Sequence, residues 1–146
     1  MMPGVRLDPY LAFSFVVELE GLVVAGFSEV TGLQAEIEVQ DYREGGLNEY
    51  IHRLAGPARY PSNLVLRRGL TDVDTLWVWH QRAARGLVER RNGSIILLDS
   101  AGAESSRWNF VDAYPVRWSG PELRAGTTAV AVETVELAHH GLSAAR

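Results

Sequence analysis

The residues of this chain that could perform acid–base or metal chemistry are its four histidines and the carboxylates near them. His139 and His140 end the run ETVELAHH, which also carries Glu133 and Glu136. These residue types suggest a metal site, because imidazole and carboxylate groups are common ligands of divalent metal ions. Successive side chains on a strand point to opposite faces, however, so the two histidines cannot bind one ion. A site would need a histidine from elsewhere, and a strand end that reaches solvent is the simpler interpretation.

The other histidines add little chemistry. His80 lies on the apolar face of a predicted helix, where we expect a hydrogen-bonded core residue. His52 could pair with Glu49 as an acid–base couple, but no serine or cysteine lies in the pattern of an activated nucleophile. The sequence has no cysteine, no G-x-G-x-x-G and no P-loop, which removes thiolate metal sites, disulfides and nucleotide-binding motifs. The sequence therefore predicts no enzyme, no metal and no cofactor.

Composition indicates one globular domain over residues 1–146, with 47% hydrophobic and 22% charged residues. The net charge of -4 argues against a general nucleic-acid binder. Glu18 and Glu20 interrupt the apolar run of residues 11–27, so no membrane span is expected. The opening MMPGVRLDPY lacks the features of a signal peptide, and we expect a cytoplasmic protein.

Alternating apolar and polar residues predict the strands. In LAFSFVVELE every second residue from Leu11 to Leu19 is apolar, and a turn after Glu20 predicts an N-terminal hairpin. In LQAEIEVQ the apolar residues Leu33–Val39 are expected to face inward. The residues between them form a polar row, either a solvated face or the lining of an acidic cavity: Gln34, Glu36, Glu38 and Gln40. Further strands are predicted in NLVLRRG, SRWNFVDAYPVRW and TAVAVETVELAHH.

Two local signals complete the strand pattern. Asn92-Gly93 predicts a tight hairpin, because both central residues of a type I′ turn need a positive φ. In the last strand the alternation changes phase between Val132 and Val135, which a β-bulge or burial of both faces would explain.

The single predicted helix is at about Asp72–Arg85. Thr71 and Asp74 have the spacing of a capping box, and Gly86 stands where a C-terminal capping glycine belongs. The apolar stripe of this helix is Val73, Leu76, Trp77, His80 and Ala84. Trp79 lies off that stripe, and an exposed tryptophan there would indicate an interface.

These elements predict a mainly β (α+β) fold, an antiparallel β-sandwich or small barrel of about seven strands with one flanking α-helix. The segment DYREGGLNEYIHRLAGPARYPSN, Asp41–Asn63, is a long irregular connection between strands. Connections of this length within a compact domain are usually functional or disordered.

Several phrases, in order along the chain from about Asp8 to Leu142, resemble one family. They are DPYLAFSFVVELEGL, GFSEVTGL, YREGGLNE, LRRGLTD, RRNGSIILLDS, WNFVDAYPVRWSGPEL and AVETVELAHHGL. Together they resemble the tail tube proteins of contractile-tailed phages and of extracellular contractile injection systems. That family is similar in fold to the haemolysin-coregulated protein of type VI secretion.

The resemblance implies a structural protein whose hexameric rings stack into a tube inside a contractile sheath. Implied partners are further copies of the chain, the sheath, baseplate or initiator and cap proteins, and cargo or DNA passing through the lumen, with no membrane. It implies assembly in the cytoplasm and then a place in an injection particle or virion tail. The long loop would stack the rings, through Tyr42, Arg43, Glu44, Leu47, Asn48, Glu49, Tyr50, Ile51, His52, Arg53, Leu54, Arg59 and Tyr60.

Two further surfaces follow from the resemblance. The polar row, together with Glu18 and Glu20, would face the lumen, where an acidic wall would repel DNA or acidic cargo. Trp79 would face the sheath or a neighbouring subunit. Two alternatives stay open: a tube-initiating or baseplate-proximal paralogue, and a small β-barrel enzyme or ligand-binding protein with a pocket near His52 and His80.

Overall fold

The computed structural model describes residues 14–20, 27–42, 52–70, 74–126 and 128–145 of the chain. Within them are nine strands and one helix. The strands are β1 (Ser14–Leu19), β2 (Phe27–Thr31), β3 (Glu36–Tyr42), β4 (His52–Arg59), β5 (Leu64–Gly69), β6 (Arg91–Leu98), β7 (Glu104–Ser119), β8 (Val132–Ala138) and β9 (Gly141–Ala145). The helix, α1, comprises Thr75–Ala84. The predicted mainly β class with one helix is confirmed.

Seven of the strands form a sandwich of two antiparallel layers that share β7. The first layer is β1-β6-β7-β9 and the second is β7-β8-β5-β2. Buried side chains from both layers form one cluster, with Val17 and Phe110 from the first and Leu66 and Leu137 from the second. A common core of this kind explains why the alternating apolar residues of these strands are buried.

The long strand β7 passes between the layers at a β-bulge. Gly93 pairs with Phe110 and Arg91 with Ala113, so β7 has one residue more than β6 over this stretch. Asp112 lies in the bulge with φ 54°, and its N–H donates to Oδ1 of Asn92 at 3.1 Å. A bulge bends a strand and increases its twist. Here it allows one strand to serve both layers.

The predicted hairpin at Asn92-Gly93 is wrong, because both residues lie inside β6. Asn92 supports the bulge of β7, and Gly93 lies beneath the ring of Phe110. A Cβ atom on Gly93 would lie 2.4 Å from Phe110 Cζ and 2.5 Å from the carbonyl oxygen of Glu18. The connection from β6 to β7 is instead residues 99–103, where Oδ1 of Asp99 accepts two backbone N–H groups.

The phase change in the last strand comes from a charged residue in the core. From Val132 to Leu137, β8 pairs with β5 without a register shift, and the buried set in this strand is Glu133, Val135 and Leu137. Neither a bulge in β8 nor burial of both faces explains the pattern. The core position before Val135 is occupied by a charged residue, Glu133, whose carboxylate accepts from Arg68 Nε at 2.5 Å.

The helix is shorter than predicted at its start and ends as expected. Asp74 precedes it without a side-chain capping hydrogen bond, and Thr71 lies outside the described residues. At the other end Gly86 has φ +90°, and Leu87 N–H donates to the Arg82 carbonyl at 2.9 Å. This is a Schellman motif, which favours glycine because its φ is positive.

The remaining two strands, β3 and β4, pair with each other in a separate two-stranded sheet. We call residues 36–42 and 52–59 the arm. The predicted inward orientation of Leu33–Val39 is wrong, since these apolar side chains are all exposed. Part of the predicted irregular loop is also regular structure, because β4 occupies His52–Arg59. The predicted N-terminal hairpin depends on residues 21–26, which lie outside the described residues.

Candidate interaction surfaces

The arm owes its shape to a bulge in β4. Ile37 pairs with Ala58 and Val39 with Ala55, so Gly56 and Pro57 together oppose Glu38. A Cβ atom on Gly56 would lie 2.8 Å from the Glu38 carbonyl oxygen, which explains the small residue there. Proline is tolerated at such bulges, because it has no N–H to give to the ladder. With this bulge, Ile37 and Val39 share one face of the arm with Ala58 and Ala55.

That face, the apolar face of the arm, is uncovered in the single subunit. Ile37 is 59% exposed and Val39 is 51% exposed, with Ala58 and Ala55 directly opposite. An ion pair between Arg53 and Asp41, 3.7 Å apart, closes one end of the face. Two-stranded sheets are marginally stable on their own in water. The arm therefore presents a face suited to burial against another surface.

The opposite face, the polar face of the arm, carries mixed charge. Glu36 and Arg59 are cross-strand partners and form an ion pair, and at the far end Tyr42 pairs with His52, with ring centroids 6.2 Å apart. Glu38 and Gln40 lie between them on the same face. Leu54 opposes Gln40 and is half-exposed.

The arm joins the sandwich through a neck, residues 32–35 and 60–63. Gly32 has φ +96°, and a Cβ atom there would lie 2.0 Å from the Asn63 carbonyl oxygen, so the crossing of the two segments requires glycine. The Ser62 hydroxyl donates to Oε1 of Gln34 across the neck. Tyr60 packs on His139 with ring centroids 5.6 Å apart.

The predicted ring-stacking residues divide between the arm, the neck and the part outside the description. Tyr42, His52, Arg53, Leu54 and Arg59 lie on the arm, and Tyr60 lies in the neck. The others fall outside the described residues: Arg43, Glu44, Leu47, Asn48, Glu49, Tyr50 and Ile51. The described part is thus a paired hairpin with two distinct faces.

The predicted lumen residues are not brought together within one subunit. Glu18 belongs to β1 of the sandwich and Glu20 follows directly after it, whereas Gln34 lies in the neck. Glu36, Glu38 and Gln40 lie on the polar face of the arm. All six side chains are exposed, but two carboxylates have cationic partners, Glu18 with Arg107 at 3.5 Å and Glu36 with Arg59. The expected acidic wall is therefore partly neutralised.

Arg107 links the acidic residues on the outer face of the first layer. Its guanidinium lies 2.8 Å from Oε1 of Glu104 as well as near Glu18. The hydrogen bond from Arg107 lowers the pKa of Glu104, so this carboxylate stays charged to lower pH than usual. The face is an ion-paired surface rather than a purely acidic one.

The expectation that Trp79 faces a partner is wrong, because its side chain is only 2% exposed. Its Nε1–H donates to the Glu89 carbonyl at 2.8 Å, and the Arg91 guanidinium lies 5.7 Å from its ring. Trp77 takes the outer position instead, 39% exposed, with its ring 4.8 Å from Trp118. The predicted buried face of the helix is therefore wrong in part, since α1 packs on β7 through Leu76 and Trp79 rather than through Leu76 and Trp77.

The histidines do not form a common site. His52 lies next to Tyr42 on the arm, whereas His80 lies beside Trp77 in α1. His139 is buried and His140 is exposed, so only His140 reaches solvent, and the two lie between β8 and β9 rather than on the predicted strand. His140 Nδ1 is 3.6 Å from Asp112. No group of three or more potential metal ligands occurs among the described residues.

Burial sets the chemistry of His139. It lowers the pKa of the ring, and neighbouring His140 acts in the same direction. Backbone groups of Gly141 and Ser62 oppose this effect. They do so without regular hydrogen-bond geometry, since neither ring nitrogen has a hydrogen-bond partner within the described structure. His139 is therefore a neutral, buried ring at the foot of the arm.

Sequence reasoning missed the apolar face of the arm as a surface. The signal was present in the alternation of Ile37 and Val39, but alternation does not say which molecule covers the face. Among the described residues, no helix has the length and apolarity that a membrane span requires.

Comparisons with known proteins agree with this architecture. A chain in the baseplate of the anti-feeding prophage (AFP) is 27% identical, with a TM-score of 0.81 over 96% of this chain and 97% of that one. A chain in the sheath–tube complex of an extracellular contractile injection system, PVC, is 24% identical, with a TM-score of 0.79 over 94% and 91%. Hcp1 from Flavobacterium johnsoniae shares the fold at 14% identity, with a TM-score of 0.51 over 88% and 94%.

No protein with a curated description matches the chain. The family described as "T4-like virus tail tube protein gp19" matches residues 11–143, which is nearly the whole sequence. The match covers both layers of the sandwich, the helix and the arm. The chain therefore belongs to the T4-like virus tail tube protein family.

Proposed function

We propose that six copies of this chain form a ring, and that rings stack into the inner tube of a contractile injection machine or phage tail. The tube is a conduit for cargo or DNA, and the role is structural rather than catalytic. The observation that carries this proposal is the uncovered apolar face of the arm. A two-stranded sheet is marginally stable by itself, and Ile37 and Val39 expose apolar surface to water until another molecule covers them.

A second copy of the chain is the partner that we assign to the arm. Tail tube proteins are repeating subunits, and an arm that docks on a different surface of the next copy makes a heterologous contact. Such a contact does not close on itself, so it produces an open filament. Lateral closure of six subunits into a ring would also protect the edge strands of the sandwich. Axial stacking by the arm and lateral ring closure together give a tube.

We assign the other surfaces of the subunit to the lumen wall and to contact with the sheath. The polar face of the arm, with Glu38 and Gln40, and the outer face of the first layer, with Glu20, are our candidates for the lumen wall. Trp77 replaces Trp79 as the candidate contact with the sheath or a neighbour, since it is the more exposed of the two. The assembly forms in the cytoplasm and then becomes part of a particle, with baseplate and cap proteins at its ends.

Electron microscopy of the purified chain tests the proposal. We expect rings or stacked tubes from the native chain. The double change Ile37→Ser with Val39→Ser should leave a folded subunit, by circular dichroism, and abolish the tubes. The matched control is Glu38→Ser with Gln40→Ser on the polar face, which should still stack. Tubes of normal length from the first variant would contradict the stacking role of the apolar face.

A second candidate function is that of a tube-initiating, baseplate-proximal paralogue. It is favoured by the 27% identity with a chain of the AFP baseplate. An initiator forms rings but does not polymerise by itself, so isolated rings that never stack would support this alternative. Monomers at all concentrations would contradict both proposals.

A further inference from the structure

The neck of the arm contains a buried histidine that the proposed function does not use. We infer that His139 and Tyr60 form a proton-sensitive latch, which holds the arm at one angle to the sandwich while the imidazole is neutral. The partner of the latch is part of the same chain. The inference therefore concerns the single subunit and does not depend on ring stacking.

The geometry places this contact where it controls the arm. Tyr60 is the residue directly after β4, and its ring lies on His139 with the two planes 53° apart. Its Cε2 atom is 3.8 Å from the position that a Cβ atom on Gly141 would take. The ring therefore rests on the turn between β8 and β9. A movement of Tyr60 away from this turn moves the end of β4 with it.

The two segments of the neck, residues 32–35 and 60–63, are held together by local contacts. Gly32 crosses the Asn63 carbonyl at a distance that excludes any side chain, and Gln34 accepts a hydrogen bond from Ser62. Within the described residues, the arm strands pair with each other and not with the sandwich. Because no shared sheet fixes the arm, the packing of Tyr60 on His139 carries much of that task.

His139 is chemically suited to respond to protons. Its ring is buried, neither nitrogen has a hydrogen-bond partner in the described structure, and burial lowers its pKa. Among the described residues, the titratable groups around it are the phenol of Tyr60, from the β4–β5 connection, and neighbouring His140. His140 in turn lies 3.6 Å from Asp112 and 3.3 Å from Arg90. The Asp112 carboxylate thus engages His140 rather than His139.

The direction of the pH effect follows from the lowered pKa. A closed latch binds the proton less readily than an open one, where the ring has its ordinary value of about 6.5. The latch is therefore fully stable above about pH 6.5 and loses stability as the pH falls below that value. One proton changes the open-to-closed ratio by at most about tenfold for each pH unit. The stability of the latch stops falling once the pH is below the pKa that His139 has in the closed latch.

Hydrogen exchange measured by mass spectrometry on the full chain, dissociated to single subunits, tests the latch. Rates for residues 52–63 are normalised to an unstructured reference peptide between pH 8 and pH 5. We expect exchange there to rise by up to about tenfold per pH unit below 6.5. His139→Phe, which cannot be protonated, should show no rise, and the matched control His140→Gln should retain it.

Two results would overturn the latch. One is hydrogen exchange of residues 52–63 that is independent of pH in the native chain, and the other is an undiminished rise in that exchange in His139→Phe. If His139→Phe does not fold, nuclear magnetic resonance of the native subunit decides. The Tyr60 ring signals must then shift with the same midpoint as the His139 imidazole, and a different midpoint refutes the coupling. Both measurements use single subunits, so a failed latch is distinguished from a failed tube.

Discussion

Two arginine–glutamate pairs in this chain have the same chemistry and opposite surroundings. In the sandwich, the side chains of Arg68 and Glu133 are 5% and 2% exposed, and Trp118 donates a further hydrogen bond to the carboxylate at 3.1 Å. On the arm, Arg59 and Glu36 are 58% and 42% exposed. Burial makes the charges of the first pair depend on protein partners, whereas water can replace either partner of the exposed pair.

The apolar residues of the two regions differ in the same way. Val135 and Leu137 alternate along β8 and are fully buried by their own chain. Ile37 and Val39 alternate along β3 and face solvent. The pattern of residues is identical, so the difference lies in what covers each face. The sandwich is complete within one subunit, and the arm is a surface that a second molecule completes in the proposed assembly.

The largest effect should come from breaking the buried pair. Glu133→Gln removes the carboxylate that faces the buried Arg68 guanidinium, and because a buried ion pair is broken, we expect a loss of about 3 to 5 kcal/mol in the free energy of unfolding. Urea denaturation of the dissociated subunit measures it. The matched control is Glu136→Gln on the same strand, whose partner Arg117 is exposed. A loss below about 1 kcal/mol for Glu133→Gln would mean that Arg68 finds water or another partner.

Truncation of apolar residues sharpens the comparison. Leu66→Ala removes a fully buried side chain between the layers and should cost about 2 to 5 kcal/mol. Ile37→Ala removes an exposed one, and the unfolding free energy of the subunit should change by no more than about 0.5 kcal/mol. Thermal and urea unfolding of the two variants give the values. Equal losses would show that the apolar face of the arm is already covered within the subunit.

A smaller effect is expected at Gly93. Gly93→Ala places a methyl group against the Phe110 ring and the Glu18 backbone, and overpacking of this kind costs about 1 to 3 kcal/mol. Gly69→Ala is the control, because the nearest atom to its new methyl group, on Val130, is at an ordinary 3.9 Å. Urea denaturation compares the two. If Gly93→Ala is as stable as Gly69→Ala, the ring does not require glycine beneath it.

The smallest effect should be seen in the exposed pair. Glu36→Gln removes one charge of the pair with Arg59, and we expect a loss of about 0 to 1 kcal/mol in subunit stability. The loss should shrink further in high salt, because exposed charges are screened. A loss comparable to that of Glu133→Gln would place the arm pair in a buried environment and remove the contrast between the two regions.

The parts of the fold that were predictable from the sequence are those governed by local patterns. The alternation of Val17 and Leu19 and the terminating glycine of α1 at Gly86 depend on backbone geometry alone. Prediction failed where the same short motif is compatible with two different local conformations. Asn92-Gly93 is common in tight turns, but here a bulge and an aromatic ring in β7 use the same two residues.

The candidate surfaces were predictable only in part, for the same reason. The length and mixed charge of the Asp41–Asn63 segment marked it as an interaction element, which stays a prediction; its described residues lie in the arm and the neck. Nothing in the alternation of Leu33–Val39 revealed that its apolar side faces solvent. The helical stripe likewise left open which tryptophan is buried, because Trp77 and Trp79 are separated by about 200° around a helix at 3.6 residues per turn.

By itself, the sequence determined the class of the fold, the family to which the chain belongs and the segment that departs from a compact domain. These follow from residue periodicity and from an ordered set of phrases. Only the tertiary structure decided that Glu133 is a core residue, that Trp79 is buried and that β3 and β4 stand apart as an arm. Each of these depends on which distant residue faces a given side chain, and periodicity along one strand contains no record of its neighbours.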